Sequence, residues 1–330
     1  MKSLLPKIVC IGGGTGTFVV LNGLKSFPCQ LSAIVTMSDS GGSNKRIRDE
    51  FGLLPTSDIR QCFVALADEN GGTGLLRKLF MYRFNKGDGI SGMTFANLFM
   101  AALSDILGSQ EEAIRMTRKV LRIKGTVIPV SLTKTDLYAK YENGKIVSEE
   151  HLIDEPEHDG TLRISKVYLK PAAQSNPEAL KAIKNADIIV LGPGDLYTSL
   201  IPNLLVRGVS TAISKSKAKK VYVMNLMTKF GQTYGFTASD HIKVLESYID
   251  KSIGTVIVNS GRLNKEAVTI YAKSKETVVK NDLPKDSYYQ TIVSNIVSNQ
   301  MILKDQSDLL VRSLIRHDSA KLAAQIMQLV

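Results

Sequence analysis

The chain has 330 residues, 44% hydrophobic and 22% charged, the profile of an ordinary globular protein large enough for one α/β domain. No apolar run reaches the roughly 20 residues that cross a bilayer. The start, MKSLLPKIVCIGGG, runs into a glycine turn without a cleavage-site pattern, so no signal peptide or membrane partner is expected and a cytoplasmic location is. The 42 lysines and arginines outweigh 31 acids, for a net charge of +11, which favours an anionic ligand. No basic run carries interleaved aromatics, so the expected ligand is a phosphorylated small molecule and not nucleic acid. Cys10, Cys29 and Cys62 lack C-x-x-C spacing and the four histidines lack a zinc pattern, so no protein metal ligand is assigned.

In chain order, KIVCI (7–11) and LSAIVT (31–36) read as strands buried on both faces. Helices are expected over Asp58–Ala67, capped by Ser57 or Asp58, over 94–107 as a buried helix, and over 110–121 as an amphipathic one. The region 125–170 differs. TVIPVSL, DLYAKYE, KIVSEEHLID and RISKVYLK alternate, with Asn143-Gly144 as a hairpin turn, which predicts an antiparallel subdomain. ADIIVLG (186–192), KKVYVMN (219–225) and GTVIVN (254–259) supply further buried strands. A closing helix begins after Asp318 as its cap. The fold class expected is a single α/β domain over 1–330, a doubly wound, mainly parallel sheet with an antiparallel hairpin subdomain at 125–170.

Three glycine-rich turns follow predicted strands. The first, IGGGTGTF (11–18), opens onto a helical pattern, an arrangement that points backbone N–H groups at phosphate. Gly12, Gly13, Gly14, Thr15, Gly16 and Thr17 are its candidate ligand residues. Thr17 stands where G-x-G-x-x-G has its third glycine, and no acid ends the second strand to hold a ribose, which argues against a nicotinamide dehydrogenase. The second turn offers Asp39, Ser40, Gly41, Gly42 and Ser43, followed by Arg48 for bidentate phosphate contact. Asp58 and Arg60 add an acid and a guanidinium near a helix start. The third turn, LGPGDLYTSLIPN (191–203), offers Gly192, Gly194, Asp195, Thr198 and Ser199. Asn225 and Thr228 sit past a further strand and suit a uracil edge or sugar hydroxyls. Ligands of open parallel sheets bind at strand carboxyl ends, so these turns are expected to share one crevice.

Over nearly its whole length the chain resembles the gluconeogenesis factor YvcK group, within the superfamily that includes 2-phospho-L-lactate transferase. The motifs that carry the resemblance are IGGGTGTF, VTMSDSGGSNKRIRDEFG, LPTSDIRQCFVALAD, GMTFANL, IIVLGPGDLYTSLIPNLLV, NLMTKFGQTYGFTASDHI and RHDSAKLA. The resemblance implies a Rossmann-like core and a cytoplasmic factor linking central carbon metabolism to cell shape and envelope synthesis. For the YvcK branch it implies a UDP-sugar ligand of the UDP-N-acetylglucosamine type, with Asn97 and Arg316 among the contacts. Ser319, beside the last helix start, is then a place where a phosphate would compete for Arg316. The transferase branch implies a nucleotide-activated donor, a deazaflavin acceptor and magnesium, the one cofactor under consideration. Two departures favour binding over transfer. Met93 stands where many relatives carry histidine, which removes a candidate acid/base. Ser40 follows Asp39 where many carry a second acid, which weakens a divalent-metal site. No catalytic residue is assigned. A homodimer is the one assembly considered.

Overall fold

The computed structural model describes residues 5–68, 73–250, 253–300 and 313–330. Among these residues ten strands form two sheets: β1 Lys7–Gly12, β2 Gln30–Val35, β3 Thr126–Pro129, β4 Asp136–Tyr141, β5 Ile146–Ser148, β6 Ile164–Lys170, β7 Ile188–Leu191, β8 Lys219–Val223, β9 Thr255–Asn259 and β10 Gln290–Ser294. Seven build a sheet of order β10-β9-β8-β7-β1-β2-β3, and every neighbouring pair is parallel. Alternation along β1 sets the layers. Ile8 and Cys10 enter the core under the helices Gly14–Leu24, Ser57–Leu66 and Ser319–Met327, while Val9 and Ile11 enter the opposite one. The five buried strands expected from the sequence are β1, β2, β7, β8 and β9, and the fold is the expected Rossmann-like class.

The antiparallel sheet has the order β5-β4-β6, with Asn143-Gly144 in the hairpin between β4 and β5. Leu137, Ala139, Tyr141 and Val167 point from it into the core that holds Val9 and Ile11. TVIPVSL does not belong to this sheet: Thr126–Pro129 pairs in parallel with β2, from Ser32↔Thr126 to Val35↔Pro129. Val127 and Ile128 enter opposite cores, so the run is a doubly buried strand whose short sequence also reads as alternation. Pro129 fits there because β3 is an edge strand, where a missing N–H costs no ladder bond.

Three helix expectations change in detail. The helix Phe95–Leu107 is capped by the Thr94 hydroxyl and buries only one face, and Ile106 is 76% exposed. The helix expected from Asp58 runs Ser57–Leu66 with Thr56 at its cap position, and Asp58 does not cap it. The 110–121 helix runs Gln110–Val120 behind a Ser109 cap. At the C-terminus Asp318 caps as expected, its carboxylate accepting the Ala320 and Lys321 N–H groups at 3.0 and 2.9 Å. That closing helix lies against Gly14–Leu24 so closely that a β-carbon on Gly23 would overlap the Ser319 carbonyl. No helix among the described residues is long and apolar enough to cross a membrane.

Candidate functional site

After β1 the chain builds outward through β2 to β3, whereas after β7 it builds the other way through β8 and β9 to β10. The strand order reverses between β1 and β7, where the loops leaving the two strands part and open a crevice at the carboxyl edge. The two glycine turns meet there. The Gly192 N–H donates to the Ile11 carbonyl at 3.1 Å, and Asn203 Nδ2 ties the Gly12 and Ser199 carbonyls together at 3.2 and 2.8 Å. Asn225, just past β8, donates through Nδ2 to the Gly194 carbonyl at 2.9 Å. Gly14 has φ +59°, a backbone state that favours glycine.

The crevice is lined by Gly13, Gly14, Thr15, Gly16, Asp39, Gly41 and Asp58 on its β1–β2 side. Gly194, Asp195, Thr198 and Ser199 line its floor, and Asn225, Thr228 and Arg316 its far wall. The structure thus brings 14 of the sequence-selected residues together. The others lie behind them and hold the loops. Gly12 ends β1, and the buried Thr17 hydroxyl bonds to the Gly13 carbonyl. Ser40 accepts the His151 N–H at 3.0 Å, Gly42 begins the helix Gly42–Phe51, and Gly192 joins β7 to its turn. Ser43 accepts from Asn97 Nδ2 at 3.0 Å, and Asn97 Oδ1 accepts the Thr56 hydroxyl at 3.1 Å, so Asn97 is a buried bracket between two loops. Arg48 faces Asp136 at 2.9 Å and Glu149 at 3.8 Å, which places it on the antiparallel sheet. Arg60 is buried and directs one guanidinium nitrogen at the Met81 sulfur.

The sequence reading missed Glu150, His151 and Asp154, which come from the short helix Glu150–Asp154 of the antiparallel subdomain, and Glu155 just after it. It also missed Lys229, Glu276 and His317. Nothing local marked these residues. Glu150 and His151 reach the crevice because Ser40 bonds that short helix, and His317 because the segment before Ser319 pairs with residues 296–298 just after β10.

These additions reverse the expected electrostatics. The overall charge is +11, but the crevice wall carries Asp39, Asp58, Glu150, Asp154, Glu155, Asp195 and Glu276 against Lys229 and Arg316. Several loop amides expected to cradle phosphate already hold carboxylates. Gly14 N–H donates to Asp58 Oδ1 at 2.8 Å, Gly41 N–H to Asp39 Oδ1 at 2.9 Å, and Ser40 N–H to Glu150 Oε2 at 3.4 Å. Burial, and then the neighbouring Asp39 and Asp154 charges, push the Glu150 carboxyl well above the ordinary range. Burial, with Asp154, raises Asp195 to about 6 despite Lys229. Burial pulls Lys229 down, but the carboxylates of Asp154, Asp195 and Glu276 outweigh it and hold the ammonium charged, with Asp154 at 3.5 Å. Burial lowers His317 to about 4, so its ring is neutral near pH 7 and bonds to the Met224 backbone. Its Nε2 and the Asn225 Oδ1 are buried without a hydrogen-bond partner among the described residues.

Asp195 gives a stability prediction with a definite sign. Its carboxyl titrates higher folded than unfolded, so between about pH 4 and 6 the folded state holds more protons and stability falls as pH rises. Asp195→Asn should therefore raise Tm relative to the parent at pH 8, with the gain shrinking to nothing near pH 4. Equal gains at both pH values in thermal melts would show that the charge is not destabilising.

Among known proteins, the sequence profile of the family described as 2-phospho-L-lactate transferase CofD matches residues 8–301. A putative gluconeogenesis factor of Thermotoga maritima is 41% identical over 321 residues, 96% of this chain and 97% of that protein. The gluconeogenesis factor of Bacillus subtilis is 37% identical over 327 residues, 98% of each. A Bacillus halodurans crystal structure superposes with a TM-score of 0.88 at 36% identity, covering 98% of this chain and 100% of that one. With its strand order, its paired glycine turns and these relatives in agreement, the chain belongs to the CofD family, in the company of its gluconeogenesis-factor (YvcK) members.

Proposed function

We propose that this chain is a cytoplasmic binding factor for a nucleotide sugar of the UDP-N-acetylglucosamine type, serving cell shape and envelope integrity during gluconeogenic growth. The observation that carries the reading is the β8 wall of the crevice. There Asn225 Oδ1 and His317 Nε2 are buried acceptors without partners among the described residues, beside the Thr228 hydroxyl and the cations Lys229 and Arg316. A buried polar atom without a partner costs about 1–3 kcal/mol, so a ligand rich in hydroxyl and imide donors and carrying a diphosphate answers both features of this wall. Calorimetry with UDP-N-acetylglucosamine, GDP and NAD tests it. The UDP-sugar is expected to bind and, at a hundredfold excess over Kd, to stabilise the fold by about 2.7 kcal/mol. Binding of NAD alone, or of none of the three, would overturn the reading.

The family's description supports a second reading, transfer of a phospholactyl group to a deazaflavin. It fits less well, because Met93, at the position where many relatives carry histidine, is 1% exposed and packs with Ile47 and Ala101. Magnesium fits only together with a ligand. Among the described residues no three acids or histidines converge on one point, so one or two crevice carboxylates would share the ion with ligand phosphates. Incubation with a nucleotide-activated donor, deazaflavin and magnesium separates the readings, and product formation favours transfer.

A further inference from the structure

The first glycine turn is the strongest phosphate signal in the sequence, yet its anion position is already filled from within the chain. Gly14 begins the helix Gly14–Leu24, where unbonded N–H groups and the helix dipole favour negative charge. Its N–H donates at 2.8 Å to Asp58 Oδ1. The fit is close: a β-carbon on Gly13 would overlap Asp58 Oδ2 and lie 3.1 Å from Cγ. Asp58 is 8% exposed, stands in the first turn of the neighbouring helix Ser57–Leu66, and does not cap that helix. A residue at the second position of a helix ordinarily serves its own N-terminus. This one turns its carboxylate to the N-terminus of another helix.

We propose that Asp58 is a specificity-determining residue, a built-in anion that bars phosphate from the glycine turn and leaves that end of the crevice to an uncharged hydrogen-bond donor of the ligand. A second, independent observation places the unmet demand elsewhere. Of the residues that line the crevice, Asn225 and His317 carry the buried acceptor atoms without partners among the described residues, Oδ1 and Nε2, and with the cation Lys229 they lie on the β8 wall, across the floor from Gly14. A dinucleotide seated in the usual way would bring its diphosphate against the helix N-terminus, where Asp58 and Asp39 repel it. The chain therefore keeps the glycine turn of a dinucleotide fold while reversing what the turn accepts. This proposal rests on the nucleotide-sugar reading only for the identity of the ligand, not for the exclusion itself.

The test uses inorganic pyrophosphate, so that it does not depend on the base or sugar. Asn at position 58 keeps the shape of the side chain and an oxygen for the Gly14 N–H but removes the charge. In Asp58→Asn, pyrophosphate should bind at least tenfold more tightly than to the parent, and the Gly14 amide resonance should move on titration. In the parent the Gly14 resonance should stay still while that of Lys229 moves, a measurement that needs no variant to fold. Equal or weaker pyrophosphate binding by Asp58→Asn, or movement of the Gly14 resonance in the parent, would overturn the proposal. Failure of UDP-N-acetylglucosamine to bind the parent would sink the nucleotide-sugar reading and leave the pyrophosphate result to decide this one.

Discussion

Titration of UDP-N-acetylglucosamine into Arg316→Ala should show binding weaker than the parent by about one to two decades. The reason lies in the charge balance of the crevice. Seven carboxyl groups line it, and the two cations on the far wall, Lys229 and Arg316, are what a diphosphate has to meet. Lys229 is already engaged by Asp154 at 3.5 Å, so part of its field is spent on that acid. Arg316 adds a planar fork that can meet two phosphate oxygens, where the Lys229 ammonium offers a point charge. One charge-assisted hydrogen bond contributes roughly 1.5–3 kcal/mol, which is one to two factors of ten in affinity. Its place is fixed by backbone, since the Ser298 N–H donates to the Arg316 carbonyl at 2.9 Å and the Asp318 N–H to the Ile296 carbonyl at 2.7 Å. Alanine should consequently leave the fold intact. Arg316→Lys separates charge from geometry: a planar fork binding two phosphate oxygens is not replaced by a point charge, so lysine should recover only part of the loss. An alanine variant within about twofold of the parent, well under 1 kcal/mol, would return Arg316 to the role of a solvated surface charge.

The parts legible in the sequence were those encoded over short distances. Buried strands such as Ile188–Leu191 announce themselves as continuous apolar runs, and Asp318 and Asn143-Gly144 act on their immediate neighbours. The glycine turns were legible for the same reason. What they hold was not. The partner of Gly14 is Asp58, 44 residues away, and that of Ser40 is Glu150, 110 residues away. No local pattern encodes either pairing, and both reverse the charge that a glycine turn suggests. β10 was missed because Gln290–Ser294 is a half-exposed edge strand with little apolar content. Thr126–Pro129 was misassigned because four residues cannot distinguish alternation from burial on both faces. Net charge misled about the crevice because the excess lysines and arginines are spread over the chain, while the acids converge.

Gly16→Ala should destabilise the protein by about 2–4 kcal/mol, although helix propensity alone argues the other way. Gly16 lies in the first turns of the helix Gly14–Leu24 with no left-handed φ, and an alanine in a helix interior is favoured over glycine by about 1 kcal/mol. Packing opposes this. A β-carbon at Gly16 would overlap the Pro193 carbonyl oxygen and carbon and would lie 3.0 Å from the Gly194 nitrogen. All three are backbone atoms, so no side chain can rotate away and one of the two glycine turns has to move. Overpacking of this kind typically costs 1–3 kcal/mol. Here displacement of the turn also strains the Gly192 N–H bond to Ile11 and the Asn225 bond to Gly194, each worth about 1 kcal/mol. The packing cost therefore exceeds the gain in propensity. Since the same contact sets the spacing between the β1 and β7 turns, ligand affinity should fall with stability. Urea unfolding decides the sign. A variant more stable than the parent by about 1 kcal/mol would mean that propensity governs this position, and that the two turns do not touch through Gly16.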